Sequence, residues 1–331
     1  MNNALMRLMQ KNRWSWSAAG VIVLWIILSI VTGRWSIASL SGILVSASFL
    51  TLAGLGQMIV VSTGRGNIDL SIASVITLSA YVALLVIKGQ DALIWLGLLA
   101  TLGIGLGVGL CNAMLVIILR VPAIIATLAT GYILATAALI ANSSLNGSAI
   151  SPTLRWIASG RVGGVPIMVM IAISTVILAA LLLHFTAYGR KLSAVGQNRV
   201  AARLAGVRVN RVLIGAFLTS SCLAAFNGLL LGAYVGGAFL EMGQPYLLQS
   251  VAAVVIGGTL IFGGSSTALG TFFASILLIL VVTIMQIMGL PRGVQDMVQG
   301  VVVIVILGFA AGGELRRSRG RVSAKSLPNR I

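Results

Sequence analysis

The sequence predicts an all-α integral membrane protein with about ten transmembrane helices. Hydrophobic residues make up 59% of its 331 residues, charged residues make up only 8%, and the mean hydropathy is +1.09. Soluble globular chains carry about 25% charged residues. A chain with so few charges cannot cover a water-exposed surface, so its solvent must be the lipid bilayer.

Ten apolar runs supply the predicted helices. A helix needs about 20 apolar residues to cross the hydrocarbon core, because its backbone polar groups must bond to one another there. The candidate spans are Ser17–Thr32, Ser41–Ser62, Ile68–Ile87, Ala92–Leu119, Pro122–Ala141, Val165–Phe185, Val212–Val235, Tyr246–Phe262, Thr267–Met288 and Val294–Ala311. The first and the eighth are short enough to be half-helices.

These runs give one transmembrane domain, residues 17–312, between a basic tail at 1–16 and a second basic tail at 313–331. The largest connections are the loops 142–164 and 186–211. The N-terminal tail is interpreted as uncleaved, because no small-residue cleavage site follows its basic residues.

The basic residues set the expected orientation. The chain has 22 Lys and Arg residues against 5 acids, and a net charge of +17. An even number of spans puts both termini on one side. If that side is the cytoplasm, 17 basic residues lie inside and 5 outside, as the positive-inside rule requires. Loop 186–211 is then cytoplasmic and loop 142–164 lies outside. Nucleic-acid binding is not expected, because the charges lie at span ends and form no basic face interleaved with aromatics.

Nothing in the sequence predicts an enzyme. No GxxxxGK[ST] loop is present to hold phosphates, and the five acids are too scattered for acid–base catalysis. His184, Cys111 and Cys222 lie in apolar runs without partners for a metal site. We therefore expect no metal, no cofactor, and a transporter that draws its energy from a partner chain.

Polar residues within the spans are candidates for a translocation path. In the stretch from Gly64 to Ser71, Asn67 is a candidate N-cap and Asp69 falls in the first turn of the following helix. A tight cytoplasmic turn with a charged cap explains the same residues, and threonines within a helix often bond their own backbone. The candidate lining residues are Gln57, Asn67, Asp69, Asn112, Thr127, Thr130 and Asn227.

Two glycine-rich stretches, residues 103–109 and 249–271, predict close helix packing. The small residues of the first stretch recur four apart and form a packing face. The glycines of the second stretch would also permit a broken helix, but ordinary packing is the favoured interpretation.

Loop 186–211 predicts a helix that docks a partner. Gly196 and Gly206 bracket a helix-sized stretch, and Arg199 and Arg203 lie on one of its faces. Its apolar stripe and small residues favour close approach of another chain, whereas a solvated positive loop would explain only the charges. The residues expected to couple to a partner are Gly196, Asn198, Arg199, Ala201, Ala202, Arg203, Leu204 and Gly206.

Four stretches, taken in order, resemble the membrane subunits of the ribose-type sugar importers of the ATP-binding cassette (ABC) superfamily, a class that includes xylose, galactose and autoinducer-2 importers. Gly66 to Ala73 resembles the GIDLS signature, and Val121 to Thr130 resembles VPAFIATLGT. Gly189 to Val207 resembles the cytoplasmic loop, and Val251 to Thr271 the glycine-rich motif. The likeness covers roughly Gln57 to Leu307. Arg199 departs from the family, which commonly has Glu there.

The resemblance implies a permease of the vitamin B12-importer architecture in the bacterial inner membrane, working as a homodimer or heterodimer. Its other partners would be a cytoplasmic ATPase, docked on loop 186–211, and a periplasmic sugar-binding protein. Arg155 and Arg161 flank Trp156 in loop 142–164 and are expected to meet acidic residues of that binding protein. Anchoring to lipid headgroups explains them equally well.

The alternative is a secondary transporter or channel for a small polar solute. Such a carrier should show a coupling acid or a cation site within the membrane, and the sequence offers no convincing one. A structural scaffold would not need a docking helix.

Overall fold

The computed structural model describes residues 14–33, 35, 37–145, 149–301 and 304. The predicted tail 313–331 lies outside these residues, and so does all of the tail 1–16 except its last three residues.

The described chain is a bundle of helices, which confirms the all-α prediction. The part of the chain before loop 142–164 contains α1 (Ser15–Thr32), α2 (Ile37–Ser62), α3 (Ile72–Ile87), a 3-10 turn (Asp91–Leu93), α4 (Ile94–Ile117) and α5 (Ala123–Ser143). Then follow α6 (Pro152–Ser159), a hairpin of β1 (Arg161–Val162) and β2 (Val165–Pro166), α7 (Ile167–Phe185), α8 (Ala187–Gln197) and α9 (Arg199–Leu204). The remainder contains α10 (Val209–Val235), α11 (Gln244–Ile256), α12 (Ala268–Ile287) and α13, described over residues 292–301.

Seven of these helices are long and apolar enough to cross a membrane: α1, α2, α4 with its 3-10 turn, α5, α7, α10 and α12. The third and eighth predicted spans correspond to the shorter apolar helices α3 and α11. The first span, expected to be short, is an 18-residue helix of full length. The tenth, Val294–Ala311, begins in α13 and continues outside the described residues.

Two predicted boundaries are wrong because the backbone is irregular where the apolar run predicts a continuous helix. Helix α3 begins at Ile72 rather than Ile68, after an irregular segment in which Gly64, Arg65 and Gly66 all have positive φ. Helix α11 ends at Ile256 rather than Phe262. The second glycine-rich stretch is therefore a broken helix rather than a continuous one, and its glycines also pack closely, since a Cβ added at Gly257 would lie 2.5 Å from the backbone of Gly270.

Helices α2, α3, α4 and α10 form the centre of the bundle, and α10 packs against the other three. A Cβ added at Gly105 or Gly109 of α4 would lie within 2.8 Å of α10 backbone atoms. At Gly103 and Gly107 nothing lies within 4 Å. The packing face predicted for residues 103–109 is confirmed for the two glycines that face α10.

The bundle has two ends, named here by the short elements found there. The start of α1 and the end of α2 lie at the α8–α9 end. Trp14, just before α1, stacks there on Phe273 with ring centroids 5.7 Å apart. At the α6 end lie α6 and the β1–β2 hairpin, which the sequence did not predict. Asp91 ties α6 to the start of α4, because its carboxylate accepts hydrogen bonds from Ser151 and from both N–H and Oγ1 of Thr153.

Candidate functional site

The loop predicted to form one docking helix contains two. Helix α8 ends at Gln197, the backbone of Asn198 is extended (φ −159°, ψ 107°), and α9 begins at Arg199. The Asn198 side chain caps α9, accepting hydrogen bonds from the N–H groups of Val200 (2.9 Å) and Ala201 (3.1 Å). The expected bracketing by Gly196 and Gly206 is therefore wrong at its first end, since Gly196 lies inside α8. Gly206 follows the end of α9 with φ +79°.

Helix α9 presents an apolar tip to the outside of the bundle. Leu204 is 85% exposed and Val200 is 62% exposed, whereas Ala202 is only 5% exposed and packs against the protein's own core. Ala201 and Arg203 are exposed beside the tip. Of the small residues expected to let a partner approach, Ala202 thus serves the internal packing of α9 instead.

Glycines from three separate segments meet behind this tip. A Cβ added at Gly196 would lie 2.1 Å from the carbonyl oxygen of Ser62 and 2.3 Å from the amide nitrogen of Gly264. A Cβ at Gly64 would lie 2.7 Å from the carbonyl oxygen of Gly196, and one at Gly263 would lie 2.4 Å from the Cα of Gly64. We call Gly64, Gly196, Gly263 and Gly264 the glycine junction. It brings the backbones of α8, the end of α2 and the segment after α11 into direct contact.

Hydrogen bonds reinforce the glycine junction. The Gly264 amide donates to the Ser62 carbonyl (3.2 Å), and the Ser193 hydroxyl donates to the Gly264 carbonyl (2.8 Å). The Arg199 guanidinium donates to the carbonyls of Thr63 (3.2 Å) and Gly64 (3.3 Å). Burial, and then the positive charge of Arg65, lower the pKa of Arg199 to about 10. Arg199, expected to contact a partner, instead fixes α9 to the end of α2.

A buried polar cluster lies deeper in the bundle, around Asp69. Its carboxylate accepts hydrogen bonds from the Ser71 N–H (3.0 Å), the Ser71 hydroxyl (2.5 Å) and the Ser220 hydroxyl of α10 (2.8 Å). Asn112 donates to the Ser71 hydroxyl (2.9 Å) and accepts from Thr130 (2.5 Å). Gln57 joins the cluster because its side-chain oxygen accepts a hydrogen bond from the Asp69 N–H (3.2 Å). Four predicted path candidates therefore share one site with Ser71 and Ser220: Gln57, Asp69, Asn112 and Thr130.

The other path candidates have separate partners. Thr127 accepts from the Leu70 N–H (2.9 Å) and donates to the Ala123 carbonyl (2.8 Å). Asn227 donates to the Phe49 carbonyl (3.0 Å). Asn67 donates to Thr63 Oγ1 (2.8 Å), and the residue preceding α3 is Ser71; the prediction that Asn67 caps α3 is wrong. All seven candidates are at most 8% exposed in the single chain, so the lining of a path stays a prediction.

Two of these buried side chains keep an unpartnered polar atom. Gln57 Nε2 and Asn227 Oδ1 have no hydrogen-bond partner among the described residues. Buried groups of this kind usually find a partner. Gln57 adjoins the Asp69 cluster, so that cluster retains one free donor.

A cavity of about 340 Å³ at the α6 end is lined by polar residues that lie far apart in the sequence. It is lined by Glu241, Gln244, Arg292, Asp296 and Gln299, with Phe239 beside them. Carboxylate and amide groups next to an aromatic ring can bind the hydroxyl groups and the apolar face of a polyol. No sequence pattern predicts this cavity, because the residues come from the loop before α11, the start of α11, and α13.

Arg155 and Arg161 both lie at the α6 end and are exposed. The Arg161 guanidinium donates to the Ser41 hydroxyl at 2.6 Å, while Trp156 beside Arg155 is 56% exposed. Within the described part of the chain, no group of three or more His, Cys, Asp or Glu residues is arranged to hold a metal ion.

Comparison with known proteins places this chain in a family. The family described as branched-chain amino acid transport system / permease component matches residues 39–307. The Autoinducer 2 import system permease protein LsrC of Enterobacter sp. (strain 638) is 30% identical over 317 residues, covering 96% of this chain and 91% of that protein. The probable ABC transporter permease protein y4mJ of Sinorhizobium fredii is 31% identical over 292 residues, covering 87% and 86%. No solved structure matches the chain at a comparable level of significance. The chain therefore belongs to this permease-component family, and it is a membrane permease subunit of a ribose-type ABC importer.

Proposed function

We propose that the chain forms one half of a dimeric permease that passes a sugar-like solute into the cytoplasm, driven by a separate ATPase that docks on α9. The observation that carries this proposal is the exposed apolar tip of α9, joined through the glycine junction to two membrane segments. A sugar-like solute is supported by the similarity to the LsrC proteins, whose name gives autoinducer 2 as the imported compound.

The proposed orientation puts the α8–α9 end in the cytoplasm. The basic residues at this end include Arg65, Arg120, Arg190, Arg199 and Arg203, and the positive-inside rule assigns such an end to the cytoplasm. The α6 end then faces the periplasm, where Arg155 offers a positive charge to an acidic binding protein.

Coupling follows from direct backbone contact. A side chain between two segments can change rotamer and absorb a displacement, whereas two backbones in contact cannot. When the ATPase moves α9, the contact of Gly196 with Ser62 and Gly264 carries the displacement to the end of α2 and to the break after α11. The segments that follow Ser62 and Ile256 are irregular, so they can change their backbone angles without breaking a long helix.

The proposed path runs from the polar cavity at the α6 end towards the α8–α9 end. Glu241, Gln244, Asp296 and Gln299 supply hydrogen-bonding groups for hydroxyls at its entrance. The second permease subunit is expected to complete the path, and the exposed aliphatic residues of α5, among them Ile125 and Ile133, are available to that subunit or to lipid.

The test introduces a charge at the α9 tip. Leu204→Glu should abolish uptake and co-purification of the ATPase, because a carboxylate at the centre of an apolar contact must be desolvated without a partner. The permease should still insert in normal amounts, because Leu204 is exposed and supports no internal packing. Leu204→Met is the matched control and should retain both properties.

Normal uptake and normal ATPase co-purification in the Leu204→Glu permease would refute docking on α9. Normal uptake by the permease in cells lacking the ATPase would instead favour the secondary-carrier alternative.

A further inference from the structure

A second cavity, of about 540 Å³, lies at the α8–α9 end, and four arginines line it: Arg65, Arg120, Arg199 and Arg203. They come from the segment after α2, the turn between α4 and α5, and helix α9. Neither an acidic nor an aromatic residue is among the lining residues. Like charges that converge in this way repel one another unless an anion joins them.

The backbone is held in an unfavourable conformation to form this cavity. Three non-glycine residues of the described chain have positive φ, and two of them are Arg65 (φ 61°) and Arg120 (φ 57°). Such conformations cost about 1–3 kcal/mol each and persist where the surroundings impose them, often at binding sites. In addition, the Arg199 Nε is buried and has no partner among the described residues.

Apart from Asn67 and Asn210, the remaining wall of the cavity is apolar. Val116, Ile117 and Ile124 line it, and the neighbouring Ile118 and Leu119 are 67% and 65% exposed at the end of α4. The cavity therefore combines four cationic groups with an apolar surface at the end of α4 and the start of α5. That combination fits a molecule with a phosphate group next to acyl chains.

We propose that this arginine cavity binds the phosphate of an anionic phospholipid of the inner leaflet, with the acyl chains along α4 and α5. Basic pockets between membrane helices on the cytoplasmic side are suited to such headgroups, and guanidinium groups bind phosphate in bidentate fashion. The bound lipid bridges α9 to the turn before α5, so it stabilises α9 in its position above the glycine junction. Two of the four arginines, Arg65 and Arg120, lie outside α9, so they can be replaced without changing the helix on which the ATPase is proposed to dock.

The test uses the purified full-length permease, equilibrated with bilayers of equal parts phosphatidylglycerol and phosphatidylcholine, and counts retained lipid by native mass spectrometry. The variant is Arg65→Gln with Arg120→Gln. The matched control is Arg208→Gln with Arg211→Gln, which removes two exposed charges from the same end but outside the cavity. The cavity variant should retain phosphatidylglycerol at least about thirtyfold less well than the control, because it loses the charge-assisted hydrogen bonds of two guanidinium groups to the phosphate, which Arg208 and Arg211 do not make.

Equal retention by the two double variants would overturn the proposal, because the attraction would then be general surface charge. Displacement of phosphatidylglycerol by millimolar inorganic phosphate would also overturn it, in favour of a site for a soluble anion. Loss of the bound phosphatidylglycerol whenever the ATPase is bound would overturn the proposal as well, because acidic groups of the ATPase would then occupy the cavity.

Discussion

Replacing Gly196 with alanine tests whether backbone contact at the glycine junction transmits motion. The added methyl group would lie 2.1 Å from one backbone atom and 2.3 Å from another, where ordinary contact needs about 3.4 Å or more. Neither atom can rotate away, so α8 must move by about 1 Å. Overpacking of this kind costs typically 1–3 kcal/mol, and rigid contact on two sides puts Gly196→Ala near the upper value.

The higher helix propensity of alanine offsets part of this overpacking cost. Gly196 lies within α8, and alanine favours helix over glycine by about 1 kcal/mol. The net cost is therefore about 2 kcal/mol, which lowers the equilibrium constant between the packed and the open junction about thirtyfold. Arg199 and Ser193 lose their hydrogen bonds to the neighbouring segments when the junction opens.

Two measurements check this expectation in the complex with the ATPase. Hydrogen–deuterium exchange of residues 62–66 should accelerate, and ATP hydrolysis should no longer respond to the binding protein. Gly103→Ala is the control, because nothing lies within 4 Å of a Cβ at Gly103. If Gly196→Ala and Gly103→Ala gave the same exchange and the same ATPase response, the reasoning about the glycine junction would be wrong.

Three further predictions concern the α6 end and the orientation. Asp91→Ala should lower the thermal stability of the permease, because the hydroxyl groups of Ser151 and Thr153 lose the carboxylate that accepts their hydrogen bonds; an unchanged melting temperature would contradict this. Arg155→Glu with Arg161→Glu should reduce stimulation of the ATPase by the binding protein about tenfold or more, whereas unchanged stimulation would leave headgroup anchoring as their role. In a cysteine-free background, an impermeant thiol reagent applied to intact cells should label a cysteine at position 159 and not one at 205; the reverse pattern would invert the proposed orientation.

The sequence predicted the features that depend on local pattern. Apolar run length located nearly all of the spans, and glycine spacing identified the face of α4 that packs on α10. The polar residues of the Asp69 cluster were also singled out, because charged and amide groups are rare in apolar runs.

Features that depend on distant contacts were not predictable from local pattern. Gly64, Gly196 and Gly264 are separated by more than 60 residues along the chain, and nothing in their own surroundings indicates that they meet. Ser220 is one of many serines in apolar runs, and only the fold shows that it bonds to Asp69. For the same reason Arg199 was expected to face a partner, whereas its carbonyl acceptors, Thr63 and Gly64, lie about 135 residues earlier.

The bond between Asp69 and Ser220 also constrains the order in which the protein is completed during synthesis. The two residues lie 151 positions apart, and a ribosome adds about 5–20 residues per second. For roughly 8–30 s after Asp69 leaves the ribosome, its carboxylate has no Ser220 to bond to and must remain near water or bonded to Ser71 alone. The buried polar cluster in the first half of the permease can therefore be completed only after α10 has been made.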